Sequence, residues 1–245
     1  MSLKMGLIGR KLGMTRVFHD DGTSLGCTAL EIGPCVVTAQ RTSDKHGYAA
    51  LQLGFEERSL RHLRRSEAKL FEKLKIERTP AVLREVRLEA SDVAKFDVGK
   101  VLKADEVFKS GDVVDVAGIT KGKGYQGVMK MHKMAGSVNG HGSHEFFRHG
   151  GSIGCRLTPG RVHKGKRMSQ HMGHVRCTSS DLVVVKVFPE QNIVLVKGAV
   201  PGPARGLVFL KGSAKNVKKY IVPVVQKETE SKNPMKASKK GQTSG

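Results

Sequence analysis

Apolar positions change their period several times along this chain. From Met5 to Phe18 they come in short runs broken by Gly6, Gly9 and Gly13. Asp20-Asp21-Gly22 then predicts a turn, and Leu25 to Ile32 a strand. Gly33-Pro34 interrupts it, Cys35 to Arg41 predicts a second strand, and Ala49 to Gly54 a third. Turn signals spaced about eight to twelve residues apart point to a β-barrel or sandwich. His19 and His46 fall in or beside turns and read as surface residues.

Between Arg58 and Arg78 the period becomes helical. Leu60, Leu63, Leu70, Phe71 and Leu74 recur on one side, with Arg61, Arg64, Arg65, Lys69 and Lys73 among them. This predicts one amphipathic helix or two short ones, ended by Pro80. Its basic face could touch phosphate or simply face solvent. Residues 82–88 alternate like a strand, and the Lys109-Ser110-Gly111-Asp112 turn leads into another at Val113 to Ala117. Strand patterns return at Asp181 to Phe188 and Ile193 to Lys197, which predict a hairpin around Pro189–Asn192, and at Leu207 to Leu210. Beyond Gln226 the composition of Lys, Ser, Thr and Gly predicts a solvated tail.

Between the two β halves neither period holds. Residues 119–176 contain eleven Lys or Arg, seven His, twelve Gly and a single acid, Glu145. Fifteen sizeable apolar side chains in that length are too few to offset the backbone entropy of ordering it. The segment is therefore expected either to be disordered or to take its shape from a large polyanion, and the second reading fits better. The expected organisation has four parts. Residues 1–118 form the first part of a β-barrel with a helical insertion at 58–95, and 119–176 form an extended basic loop. Residues 177–225 supply the remaining barrel strands, and 226–245 are a disordered basic tail.

Charge sharpens this picture. The chain has 245 residues, a net charge of +21 and no Trp. Residues 1–118 hold twenty basic and seventeen acidic groups, so the excess sits in the later half. Nucleic acid is the commonest partner for such a surface. Neither an apolar run of membrane-spanning length nor a signal-peptide core is present, which argues against membrane insertion and secretion. Cys27, Cys35, Cys155 and Cys177 stand far apart and read as free thiols of a reducing compartment.

Several motifs suggest other chemistry. Gly122-Lys123-Gly124-Tyr125-Gln126-Gly127 matches G-x-G-x-x-G. The stretch after Gly127, however, is too short and glycine-punctuated for the required helix–strand unit, and it carries no kinase signature. Close approach of backbone to phosphate explains these glycines better. His141, His144, Cys155 and His163 could be offered as zinc ligands, but the second pair is loosely spaced among Arg156, Arg161 and Lys164. Catalysis lacks a carboxylate pair, and nothing orients a His beside Cys155 or Cys177. No metal, cofactor or small-molecule substrate is expected. The strongest positive signal is Gly160-Arg161-Val162-His163-Lys164-Gly165-Lys166-Arg167. Such a strip can thread between RNA helices, with guanidinium forks for phosphate and flat faces for bases. A DNA-binding architectural protein is the nearest alternative, disfavoured because the cations lie in a loop rather than on a groove-sized helix or ribbon. A nucleotide-using enzyme is the next.

The blocks LIGRKLGMTRVFHDDG, ITKGKGYQGVMK, GGSIGCRLTPGRVHKGKRMSQHMGHVR and LVVVKVFPEQNIVLVKGAVPGP resemble, in that order, the bacterial large-subunit ribosomal protein three family. The resemblance runs from Leu7 to about Leu210. It implies a mainly β protein: a translation-factor-like β-barrel with a small helical insertion and a long glycine-rich basic extension. It implies a structural, non-enzymatic constituent of the large ribosomal subunit in the cytoplasm, binding 23S-type rRNA and aiding early subunit assembly. The extension would support the region of the peptidyl-transferase centre, and ribosomal proteins fourteen and nineteen would be neighbours. The rRNA contacts expected are Lys121, Lys123, Lys130, Lys133, His144, Arg148, Arg156, Arg161, His163, Lys164, Lys166 and Arg167. The expected tip is Gly154, Cys155, Arg156, Leu157, Thr158 and Pro159. Phe108, Asp115, Thr120, Gly122, Lys123, Gly124 and Gly127 match the family signature, whose closing Arg is replaced by Met131 between Lys130 and Lys133. Leu157 stands where some members carry a methylated Gln, and Arg156 where Asn is frequent.

Overall fold

The computed structural model describes residues 5–18, 22–74, 76, 79–213 and 215. His19, the Asp20-Asp21 half of the first turn, part of the 177–225 segment and the whole tail at 226–245 lie outside the described residues.

A closed six-stranded barrel anchors the molecule. Its staves are β1 (Gly6–Phe18), β2 (Ser24–Ile32), β7 (Val113–Ile119), β10 (Arg176–Phe188), β11 (Ile193–Lys197) and β12 (Leu207–Gly212). Around the barrel they run β1-β12-β7-β10-β11-β2, and every neighbouring pair is antiparallel. The β10–β11 hairpin appears as the sequence predicts. Closure gives every stave a neighbour on each side, and the β1–β2 hairpin runs on past the barrel, where the outer part of β1 pairs with β2 alone.

The first stave differs from the sequence expectation. Gly6, Gly9 and Gly13 suggested breaks, yet β1 runs thirteen residues without one. At Gly9 the reason is close approach: a Cβ there would overlap the Glu31 carbonyl and the Ile32 side chain on β2. Gly13 marks the register shift in the β1–β2 ladder, where the strand bends.

The strands between Cys35 and Leu102 do not extend the barrel, as the division of residues 1–118 had supposed. β3 (Cys35–Arg41), β4 (Ala50–Glu57), β5 (Pro80–Arg87) and β6 (Val101–Leu102) form a second sheet in the order β5-β4-β3-β6. The cause is occupancy. Both edges of β2 are already taken, by β1 and β11, so the chain must leave the barrel at Gly33-Pro34. The helical pattern of 58–78 resolves into a 3-10 turn at Leu60–His62 and a helix, α2 (Arg65–Lys73), preceded by the single turn α1 (Ser43–His46). The Arg64 amide donates to Glu67 at 3.4 Å, which stabilises the start of α2, and Phe71 is its buried anchor. Short helices α3 (Ala90–Val93) and α4 (Ala104–Val107) close the connections around β6.

Barrel and second sheet share one core. Leu7, Leu30, Val116, Val196 and Leu210 from the barrel join Val37, Leu51, Leu53 and Leu102 from the sheet in a single apolar cluster. Burying each is worth about 1.5–3 kcal/mol. The Arg10 guanidinium, ion-paired with Glu56, adds a polar tie between the two layers. That pair raises the Arg10 pKa above its ordinary value.

Candidate nucleic-acid interface

Residues 119–176 leave and re-enter the barrel on adjacent staves, because Ile119 at the end of β7 pairs with Arg176 at the start of β10. The pairing continues outward as a narrow neck. Thr120 donates its amide to the Val175 carbonyl at 2.9 Å, and its hydroxyl accepts the Val175 amide at 3.3 Å. The Lys123 amide reaches the Met172 carbonyl at 2.9 Å. Beyond it, β8 (Gly124–Gln126) pairs with β9 (Gln170–Met172). The Tyr125 hydroxyl lies 2.7 Å from that of Ser169, joining the two limbs again. Backbone ladders and this hydroxyl contact hold the neck.

Past the neck, the short helix α5 (Val128–His132) folds back on the returning limb, with His132 Nε2 2.9 Å from the Met168 carbonyl. Lys133 ends α5 in the left-handed conformation. Ser137 donates to the Phe147 carbonyl at 3.0 Å, and a 3-10 turn at His144–Arg148 follows. Phe146 stands edge-on to His149 at a centroid distance of 4.9 Å. From Gly151 to Met168 all side chains are exposed, and Leu157 is 89 % exposed. Among the described residues between 119 and 176, Val128 alone is buried. The segment thus lacks a core of its own.

All twelve expected contact residues are exposed. Lys121 and Lys123 stand at the neck, Lys130 and Lys133 on and after α5, and His144 and Arg148 in the 3-10 turn. Arg156, Arg161, His163, Lys164, Lys166 and Arg167 lie in the distal loop with the tip residues Gly154, Cys155, Leu157, Thr158 and Pro159. Among the described residues, no Lys or Arg of this segment is ion-paired. Lysine and arginine left without counter-charges on a chain that buries almost nothing present an uncompensated surface for an anion.

The G-x-G-x-x-G stretch lies in β8 and the turn into α5, a five-residue helix followed by coil; the helix–strand unit of a dinucleotide site is missing there. No three His, Cys, Asp or Glu side chains gather in a metal-holding group among the described residues, so His141, His144, Cys155 and His163 do not form one.

One cation escaped the sequence reading. Lys11 on β1 reaches across to donate its ammonium to the carbonyls of Val200 at 2.8 Å and Gly202 at 3.2 Å. Burial and the neighbouring Lys121 hold its pKa below the ordinary lysine value. Nothing local in the sequence marks it, since barrel closure alone brings residues 11, 121 and 200–202 together.

The sequence profile described as Ribosomal protein L3 matches residues 58–189. A large ribosomal subunit protein uL3 of Sorangium cellulosum is 42 % identical over 228 residues, covering 92 % of this chain and 97 % of its own. Those of Thioalkalivibrio sulfidiphilus and Myxococcus xanthus are 45 % and 43 % identical, over 87 % and 86 % of this chain and 99 % and 93 % of theirs. The chain belongs to the ribosomal protein L3 family. The L3 family is structural and non-enzymatic, which accords with a segment rich in cations and nearly devoid of acids. Among the described residues no helix is long and apolar enough to cross a membrane.

Proposed function

We propose that this L3-family chain is a structural constituent of the large ribosomal subunit, binding 23S-type rRNA through residues 119–176. The observation that carries the reading is the set of exposed, unpaired cations on a two-limbed segment rooted in a barrel. Each Lys or Arg replaces counterions along closely packed phosphates. The affinity therefore falls with salt, by about 0.7–0.9 in log–log slope per contact. Glycines keep the limbs slim enough to pass between RNA helices, and Tyr125 and Phe146 offer faces for bases. The barrel sits at the subunit surface while the tip at 154–159 reaches toward the peptidyl-transferase centre. The protein binds early in assembly, in the cytoplasm, and meets ribosomal proteins fourteen and nineteen.

Co-sedimentation tests this. The chain should travel with large subunits in low salt and come off only near molar salt. Equal affinity for rRNA and duplex DNA in filter-binding competition would count against it.

A further inference from the structure

Beside the root of the extension, barrel and second sheet do not close on each other completely. On the outer face of the barrel, Ile8, Phe209 and Ala117 stand opposite one another in register across β1, β12 and β7. Val82 of β5 faces this row from the second sheet, and between them lies a cleft of about 440 Å³, within the usual size of ligand clefts, about 300–1,000 Å³. Arg84 and Arg176 line it. Two residues along the same staves, Ile119 opposite Arg176 and Leu207 opposite Arg10 carry the apolar surface out to solvent.

The charges here are unevenly matched. Arg10 is engaged by Glu56, and the Glu85 carboxylate accepts hydrogen bonds from Arg41 and Tyr48 at 3.2 and 2.7 Å. These bonds, Tyr48 foremost, lower the Glu85 pKa, so it remains an anion committed to its own partners. Among the described residues, Arg84 and Arg176 have no such counter-charge. An apolar slot flanked by two free guanidinium groups matches the two halves of a nucleotide. The base enters the slot, and its flanking phosphates meet the forks. An apolar peptide would leave both arginines unanswered.

We propose that this cleft receives a single unstacked nucleotide of the bound RNA, a site at the root of the extension that shares Arg176 with it but lies outside the twelve expected contacts, and that rests on the rRNA-binding reading. The barrel thereby gains selectivity. The extension neutralises backbone anywhere along its path, whereas the slot fits only where the RNA offers a splayed-out base. Val82 and Phe209 form its walls, and Arg84 and Arg176 fix its phosphates.

The test uses the full chain and a large-subunit rRNA transcript. Val82→Trp fills the slot without changing charge, and Arg84→Gln, at an exposed position, removes one fork; thermal melting confirms that both variants fold. Each should weaken rRNA binding at least about fivefold, the low end of the value of one stacked base. The salt slope should stay unchanged for Val82→Trp and drop by about 0.7–0.9 for Arg84→Gln. A base shielded from chemical modification in the wild-type complex should become reactive in the Val82→Trp complex. In assembled subunits, a photo-cross-linker at position 82 should join to RNA. Wild-type affinity and modification pattern in both variants, or a cross-link to a neighbouring protein, overturns the site. Failure of the wild-type chain itself to bind the transcript would defeat the rRNA-binding reading instead.

Discussion

Gly173 lies so close to the backbone of Lys121 that a Cβ on it would overlap the Lys121 carbonyl oxygen. Its φ of +78° is also one that side-chain-bearing residues rarely adopt. The two limbs of the extension therefore meet at the neck through bare backbone. Gly173→Ala should cost about 1–3 kcal/mol locally and loosen the neck. Limited proteolysis should then cut faster within residues 122–170, while the melting temperature of the barrel changes little.

Neutralising Lys164, Lys166 or Arg167 to Gln should weaken rRNA binding irrespective of sequence. Each change should lower the salt slope by about 0.7–0.9, read by filter binding across a salt series. Stability should move by no more than about 0.5 kcal/mol, because these side chains are exposed and unpaired.

Removal of Gly151 to Gly160 should leave the barrel's denaturation midpoint nearly unchanged, since no residue of the tip is buried. It should impair subunit maturation or peptidyl transfer, scored by sucrose-gradient profiles and a puromycin reaction. Normal particles with normal activity would contradict the role proposed for the tip.

Core truncation should do the opposite. Leu30 is fully buried in the core shared by both layers, so Leu30→Ala should cost about 2–5 kcal/mol. Leu157→Ala at the exposed tip should cost almost nothing. Urea denaturation of the two variants separates scaffold from extension.

Burial pushes the Cys35 thiol up to about 11, against a weaker opposing backbone hydrogen bond at Ile8. The fold thus favours the neutral thiol. Its contribution is complete below the ordinary cysteine value of 9.0 and is lost as pH climbs toward about 11. Stability should decline over that window, less steeply in Cys35→Ala. Thiol titration offers a second check. Cys155 and Cys177 are exposed and should react at once, whereas Cys27 and Cys35 are buried and should wait for denaturant.

Local patterns made much of this molecule legible. Alternation located β2, β10, β11 and β12, and the helical period located α2, because in each case neighbouring residues carry the signal. The features that escaped depend on contacts between distant residues. The glycines of β1 look like breaks until Glu31 is seen pressing on Gly9. The second sheet arises because both edges of β2 are filled, by partners at residues 9–18 and 193–197. The two-residue β6 and the three-residue β8 and β9 are too short for any period to register. In the candidate interface, charge and glycine content singled out the exposed cations, but Lys11 and the Val82–Phe209 cleft arise only when the barrel closes.

The order of staves has a temporal consequence. β12, among the last elements described, is wedged between β1, the first, and β7. A chain emerging from its own ribosome can zip β1 to β2, yet the cylinder stays open until residue 212 is free. The cationic limbs at 119–176 are thus made before the scaffold that will hold them has shut.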